Sequence, residues 1–143
     1  MATMIPDSHK DLLVNPVHGV LTTMMPDGQP QMSVVWVAFD GTHVLLNSTL
    51  ERQKGKNMQK NPKVNVLVID PDDVARFIEV RGEVVGITQE GAIEHADKQT
   101  KAYSCGEQQQ FYGDVYPEET KEKETRVVFK ILPAKVNVNA IFA

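Results

Sequence analysis

Short β-rich runs recur along this chain, some unbroken and apolar, such as VVWVAF (34–39), and one, KVNVLVID (63–70), alternating polar and apolar with the two-residue period of a strand. HGVLTTMM (18–25) and QMSVVWVAF (31–39) are β-rich runs on either side of PDGQP, and Asp27-Gly28 between them predicts a hairpin. A second turn at Asp40-Gly41 leads into HVLLNS (43–48), completing a predicted three-strand meander. KVNVLVID (63–70) reads as a strand, and RFIEVRGEVVGI (76–87) as a long one whose Gly82 predicts a bulge or bend. RVVFKIL (126–132) and KVNVNAIF (135–142), separated by Pro133, are expected to form two final strands.

Helical patterning is confined to three places. Leu12 and Leu13 mark the apolar side of a short first helix, with Asp7 or Ser8 as its cap and Asn15-Pro16 as its end. Gln53 to Lys60 reads as a second helix, with Ser48 and Thr49 as candidate N-caps and Asn61-Pro62 as its stop. QEGAIEHADKQTKAY (89–103) is a polar helix with a narrow apolar stripe. Residues 104–124 read as a polar loop, and its aromatics Phe111, Tyr112 and Tyr116 either line a substrate mouth or pin the loop down. About seven strands and few helices predict a mainly β protein, a small antiparallel barrel with short helices. The length of 143 residues suits one domain spanning 1–143.

Composition narrows the function. Apolar residues at 41 % and charged residues at 24 % exclude a disordered or collagen-like chain. No apolar run approaches the roughly 20 residues of a membrane helix, and the first residues carry acids and no apolar h-region. The expectation is a cytoplasmic protein with no membrane partner. Cys105 is the only cysteine, which excludes internal disulfides and multi-cysteine metal sites. His9, His18, His43 and His95 show no HExxH spacing, so no metal is expected. A net charge of −4 argues against general nucleic-acid binding.

Against that acidic background, RQKGKNMQKNPK (52–63) holds five of the fifteen cations and no acid. A basic run on a short helix is most often plain solvated surface, but three features set this one apart. It has no acids with which to form i,i+4 pairs. It follows a strand directly, with the hydroxyls of Ser48 and Thr49 at the junction. Its cations crowd a helix start, where free N–H groups and the dipole favour an anion. Arg52 offers a bidentate fork and Lys54 a mobile point charge, so this is a candidate phosphate clamp. Lys56, Lys60 and Lys63 read as surface charge. The segment is neither a P-loop nor a dinucleotide fingerprint.

The order HGVLTTMMPDGQPQMSVVWVAFDG, VLLNSTLERQKGKNMQKNPKVNVLVID, EVRGEVV resembles the split β-barrel, FMN-binding-like flavoproteins, the pyridoxamine 5′-phosphate oxidase-like group. Within it the chain is most similar to oxidoreductases that use coenzyme F(420), a deazaflavin. The R-x-K-x-x-N pattern at Arg52, Lys54 and Asn57, Asn61-Pro62, and the tail YGDVYPEETKEKETRVVFKILPAKV carry the likeness, over about residues 16 to 138. The resemblance implies a homodimer with two cofactor sites at the subunit interface. It implies that Arg52 and Lys54 hold the cofactor phosphate, with Thr49 and Asn57 nearby. Gln31, Ser33 and Val34 would lie behind the ring system, and Phe77 would reach in from the partner subunit.

On this reading the chain transfers a hydride from the reduced deazaflavin to a small unsaturated organic acceptor. FMN is the alternative cofactor, since it too ends in a phosphate, and a non-catalytic carrier of a flavin-like ligand is a further alternative. Pyridoxamine-phosphate oxidase activity itself is disfavoured, because that enzyme ends in an Arg-rich segment and this chain ends KVNVNAIFA. No acid–base pair or triad stands out. The catalytic residue is therefore unassigned, as befits a reaction whose chemistry the cofactor carries. Trp36 is assigned to core packing before stacking. A nucleic-acid module is disfavoured, since 52–63 contains no aromatic to stack on bases.

Overall fold

A computed structural model describes residues 4–139. Seven strands, β1 (Gly19–Met24), β2 (Pro30–Val35), β3 (Ala38–Phe39), β4 (Val44–Thr49), β5 (Lys63–Asp70), β6 (Asp73–Thr88) and β7 (Arg126–Val138), form one antiparallel sheet. Its order is β2-β1-β5-β6-β7-β4-β3. The helices are α1 (Asp11–Val14), α2 (Gln53–Lys60) and α3 (Ala92–Tyr103). The sheet curls around a core that includes Leu21, Leu46, Val66, Val80, Phe129 and Ile131, and Leu12 and Leu13 of α1 close one end of it.

The expected meander is not formed. The hairpin at Asp27-Gly28 is present, with Gly28 N–H donating to the Met25 carbonyl and Met25 N–H to that of Gln29. The run 31–39, however, breaks at Trp36-Val37, and its halves go to opposite edges of the sheet. The cause is Tyr103. Its hydroxyl accepts the Val37 N–H at 2.9 Å and lies 3.0 and 3.1 Å from the carbonyls of Val17 and Val37. A side chain thus takes the backbone groups that a neighbouring strand would otherwise have paired.

The two expected final strands are one. β7 runs through Pro133, which sits opposite Gly82 where the register of β6 shifts. A proline has no N–H to give a ladder, and a bulge is where a sheet tolerates that. Gly82 is needed there because a Cβ would come within 2.5 Å of the Leu132 carbonyl oxygen. The part of the expected last strand beyond Asn139 lies outside the described residues.

Helix boundaries differ in detail. α3 begins at Ala92 rather than Gln89, after Gly91 in the left-handed region at φ 77°. The first helix is a 3₁₀ turn over Asp7–His9 followed by α1, and neither Asp7 nor Ser8 caps it; the Ser8 hydroxyl pairs with His9 Nδ1 at 2.7 Å. The loop after α3 is held by Phe111 and Tyr112, both buried against Ala96, Trp36, Ile93 and Val115. Trp36 stacks on Tyr103, with ring centroids 5.0 Å apart.

Tyr103→Phe should keep the fold but leave the Val37 N–H buried and unpaired, at a cost of about 1–3 kcal/mol. Urea unfolding of the two proteins measures this; equal midpoints would mean that the hydroxyl does not hold the crossing.

Candidate functional site

The basic segment folds as the pattern suggests, but its start is built differently. Ser48 and Thr49 belong to the end of β4 and neither caps α2. The N-cap position is Arg52, in extended conformation and without a side-chain cap, and the first turn of α2 contains no acid. Thr49 Oγ1 instead accepts the Arg52 N–H at 3.2 Å, holding the turn between strand and helix. Gly55 lets the helix touch that strand end, since a Cβ there would overlap the Thr49 carbonyl oxygen.

Asn57 fixes the other side of the helix. It is buried, and its Nδ2 donates to Thr23 Oγ1 at 3.0 Å and lies 3.4 Å from Gln31 Oε1 and from Met25 Sδ. Gln53 Nε2 donates to Asn57 Oδ1 at 2.8 Å, and Thr23 Oγ1 donates to Gln31 Oε1 at 3.0 Å. Gln31, Asn57 and Thr49 are therefore framework here, docking α2 on β1, β2 and β4.

What the framework presents is a cleft of about 180 Å³ between β2, β4, the start of α2 and the 104–124 loop. Val34, Ser48, Arg52, Lys54, Tyr116 and Arg126 are among its lining residues. Lys54 Nζ faces Ser33 Oγ at 3.4 Å. Arg52 lies over the Tyr116 ring, 5.2 Å from its centroid. Burial lowers the Lys54 pKa, and the charges of Arg52 and Arg126 lower it further. Lys56, Lys60 and Lys63 are exposed and take no part.

Arg126 is the component that the sequence pattern did not single out as a site residue. It is 5 % exposed and uses all three nitrogens. Nε donates to Tyr112 Oη at 2.8 Å, Nη1 to Asn47 Oδ1 at 2.8 Å, and Nη2 to Glu124 Oε1 at 3.0 Å. Its guanidinium also lies 4.2 Å from the centroid of the Phe111 ring. The one local signal was an arginine opening an apolar strand two residues after a glutamate. Its other partners are at least fourteen residues away in sequence. Of the loop aromatics, Tyr112 pins and Tyr116 lines the cleft, while Phe111 does both.

Phe77 is not in this arrangement. It lies on β6 opposite Ile69 of β5, and its N–H donates to Asn139 Oδ1 at 3.2 Å. No residue of β6 lines the cleft.

The cleft fits a phosphate group. Arg52 and Lys54 face no carboxylate within ion-pair distance among the described residues, and the hydroxyl oxygen of buried Ser48 has no hydrogen-bond partner there. Three cations with one neutralising acid and an uncapped helix start favour an added anion.

A curled antiparallel sheet with this cleft at its edge is the architecture of the flavin-binding split barrels. A model of the family described as pyridoxamine 5′-phosphate oxidase matches residues 5–140, and the chain belongs to that family. Among solved structures it is similar to an F(420) reductase, at 33 % identity over 93 % of this chain and 98 % of that one, with a TM-score of 0.79. A conserved hypothetical protein from Mycobacterium tuberculosis is 23 % identical, over 96 % of this chain and 85 % of that one, with a TM-score of 0.67. HupZ of Group A Streptococcus is 20 % identical, covering 94 % of each chain, with a TM-score of 0.64. The last two bear on fold alone.

Burial pushes the Glu124 carboxyl up, but hydrogen bonds from Tyr112 and Arg126 outweigh it and hold its pKa below the ordinary 4.5. A depressed carboxyl stabilises the fold above that value, and the contribution is lost as pH falls through the folded pKa. Glu124→Gln should therefore be less stable than the parent at neutral pH, with the gap closing on acidification below 4.5. Denaturation across that range measures the gap; one that stays constant would show that the carboxylate charge contributes nothing.

Proposed function

We propose that the chain is an oxidoreductase that binds the reduced deazaflavin coenzyme F(420) and directs its hydride to a small unsaturated organic acceptor. The observation that carries this reading is the cluster of Arg52, Lys54 and Arg126 on one cleft with a single neutralising acid, Glu124. The likeness to an F(420) reductase over nearly the whole of both chains supports the choice of coenzyme. When bound, the reduced coenzyme supplies the hydride. The chain's own residues bind and orient: Arg52 and Lys54 take the phosphate, and Ser33 and Val34 support the far end of the site.

A homodimer is part of the proposal. A cleft of about 180 Å³ is smaller than the roughly 300–1,000 Å³ of ordinary ligand pockets, so one chain encloses the anionic end only. Met32 and Val34 of edge strand β2 are 66 % and 67 % exposed, leaving an apolar surface beside the cleft for a second copy to cover. Phe77 is then free to serve the partner's site.

Titration of the cofactor-free protein with coenzyme F(420) and with FMN, followed by fluorescence, tests the reading. Preference for the deazaflavin supports it, preference for FMN moves the protein to flavin-linked chemistry, and binding of neither overturns the clamp. Arg52→Ala with Lys54→Ala should weaken coenzyme binding by about 2–4 kcal/mol, since each removes a charge-assisted hydrogen bond. Lys60→Ala should change it little. Equal losses from each of the three single substitutions would indicate a diffuse field rather than a clamp.

A further inference from the structure

A cavity of about 450 Å³ lies between α3, the β3–β4 edge and the end of α1. It is larger than the phosphate cleft and separate from it. Leu45 and Asn47 share a face of β4, but Asn47 lines the cleft and Leu45 this second cavity. Residues of one α3 face form its wall: His95, Lys98, Gln99, Ala102 and Tyr103 have the i, i+3, i+4, i+7, i+8 spacing of a single side. Phe39 and Leu45 supply apolar surface.

Gln99 is the anomaly. It is 5 % exposed, and among the described residues neither its amide nitrogen nor its amide oxygen has a hydrogen-bond partner. A buried amide unpaired at both atoms is costly, and such groups are rare without a role. One turn earlier, His95 adds a defined donor. Asn47 is locked in orientation, because its Oδ1 accepts from Arg126 and its Nδ2 donates to the Ala92 carbonyl at 2.7 Å. Its Nδ2 also donates to His95 Nδ1 at 3.0 Å, so His95 Nδ1 is the unprotonated nitrogen of the neutral ring and Nε2 carries the hydrogen. The Tyr103 hydroxyl is already committed to the backbone of Val17 and Val37. Lys98 and Asp40 stand exposed on the cavity lining with opposite charge.

We propose that this cavity is a second small-molecule site, taking a compact cyclic molecule with a carboxamide or lactam edge. That edge carries a donor beside an acceptor, the complement of the Gln99 amide. The ligand carbonyl accepts from Gln99 Nε2 and from His95 Nε2–H, and the ligand N–H donates to Gln99 Oε1. Both amide atoms are shielded in the unliganded chain, so binding requires the Gln99 side chain, whose terminal torsion is soft, to turn toward the space. The ring packs on Phe39 and Leu45. A carboxylate would set an acceptor against the Gln99 oxygen, and a hydrocarbon would leave both Gln99 atoms unpaired, so the site discriminates between these classes.

The test uses benzamide, 2-pyridone and δ-valerolactam as probes, with benzoate and toluene as comparisons. Binding to the intact protein is read from the side-chain amide resonances of Gln99 and from the crystal structure of the soaked protein. The expected result is a saturable shift with the amide probes, weaker binding of benzoate and toluene, and a loss of about tenfold or more in amide affinity on Gln99→Leu. If Gln99→Leu does not fold, Ala102→Trp fills the cavity from an exposed position and should block the amide probes. No shift with any of the three, water alone beside Gln99 in the soaked crystals, equal binding of toluene, or unchanged affinity in a folded Gln99→Leu or Ala102→Trp variant would each overturn the proposal. The outcome is independent of which coenzyme the other cleft holds.

Discussion

The guanidinium of Arg126 is the constraint around which the functional end of the molecule is organised. A charge buried to this degree survives only when it is neutralised and its donors are satisfied. Each requirement fixes another element. Glu124 supplies the countercharge and so sets the path of the chain entering β7. Tyr112 receives Nε–H, which pins the loop after α3, and Phe111 stacks on the guanidinium face. Asn47 receives Nη1–H, and its amide then reaches Ala92 and His95, which docks α3 on β4. One side chain thereby ties together β4, β7, α3 and the loop, and the cleft lies among them.

The clamp across from it depends on close backbone approach. α2 reaches the end of β4 only because Gly55 has no Cβ, and it is kept there by Asn57, whose amide is spent on Thr23 and its neighbours. That docking brings Arg52 and Lys54 to the same cleft as Arg126. Three like charges at one place oppose one another, and Lys54 records this as a pKa lowered by burial and by the two arginines. The repulsion persists in the fold because the framework overdetermines the geometry, and an anion would relieve it. In an acidic protein the concentration of positive charge is thus a local property of α2, set where the sheet leaves room for a ligand.

Elements whose cause is local were legible in the sequence. Asp27-Gly28 makes its hairpin from adjacent residues, Asn61-Pro62 stops α2, and the alternation of 63–70 describes β5 as found. Features with distant causes were not. The break at Trp36-Val37 is made by a hydroxyl 66 residues away, and nothing in QMSVVWVAF announces it. Pro133 looked like a strand end, but Gly82 across the sheet supplies the bulge that accommodates it. Of the residues expected at the site, Val34, Arg52 and Lys54 line the cleft and Ser33 adjoins Lys54, whereas the side chains of Gln31, Thr49 and Asn57 hydrogen-bond within the frame that docks α2; Phe77, expected to serve the partner's site, lies on β6 away from this cleft. The spacing of the motif reports which residues sit near α2 but not which of them face inward. That distinction arises from burial, which no single stretch of sequence encodes. Arg126 went unnoticed for the same reason, since its meaning lies in Asn47 and Tyr112.

The two sides of the cleft differ in how they are held, and the difference has a functional sense. The cationic side stands on β2, β4 and α2, regular elements fixed by ladder bonds and buried packing. Sites on such elements hold their geometry more tightly than sites on loops. The opposite side is the 104–124 loop, yet it is far from slack. Asp97 accepts the Phe111 N–H at 2.8 Å, and Asp114 accepts those of Gln109 and Gln110 at 2.8 and 2.9 Å. With Tyr112 held by Arg126 as well, the loop is fastened beside the residues that line the cleft, and Tyr116 is the exposed lining residue that this frame carries, whereas Val115 packs into it. Substitution of the Tyr116 side chain would alter the shape and polarity of the opening while leaving the hydrogen bonds of Arg126 in place. Change of that side chain costs the fold least, because the fastenings of the loop lie at Asp97, Asp114 and Tyr112 rather than at the residue that faces the opening.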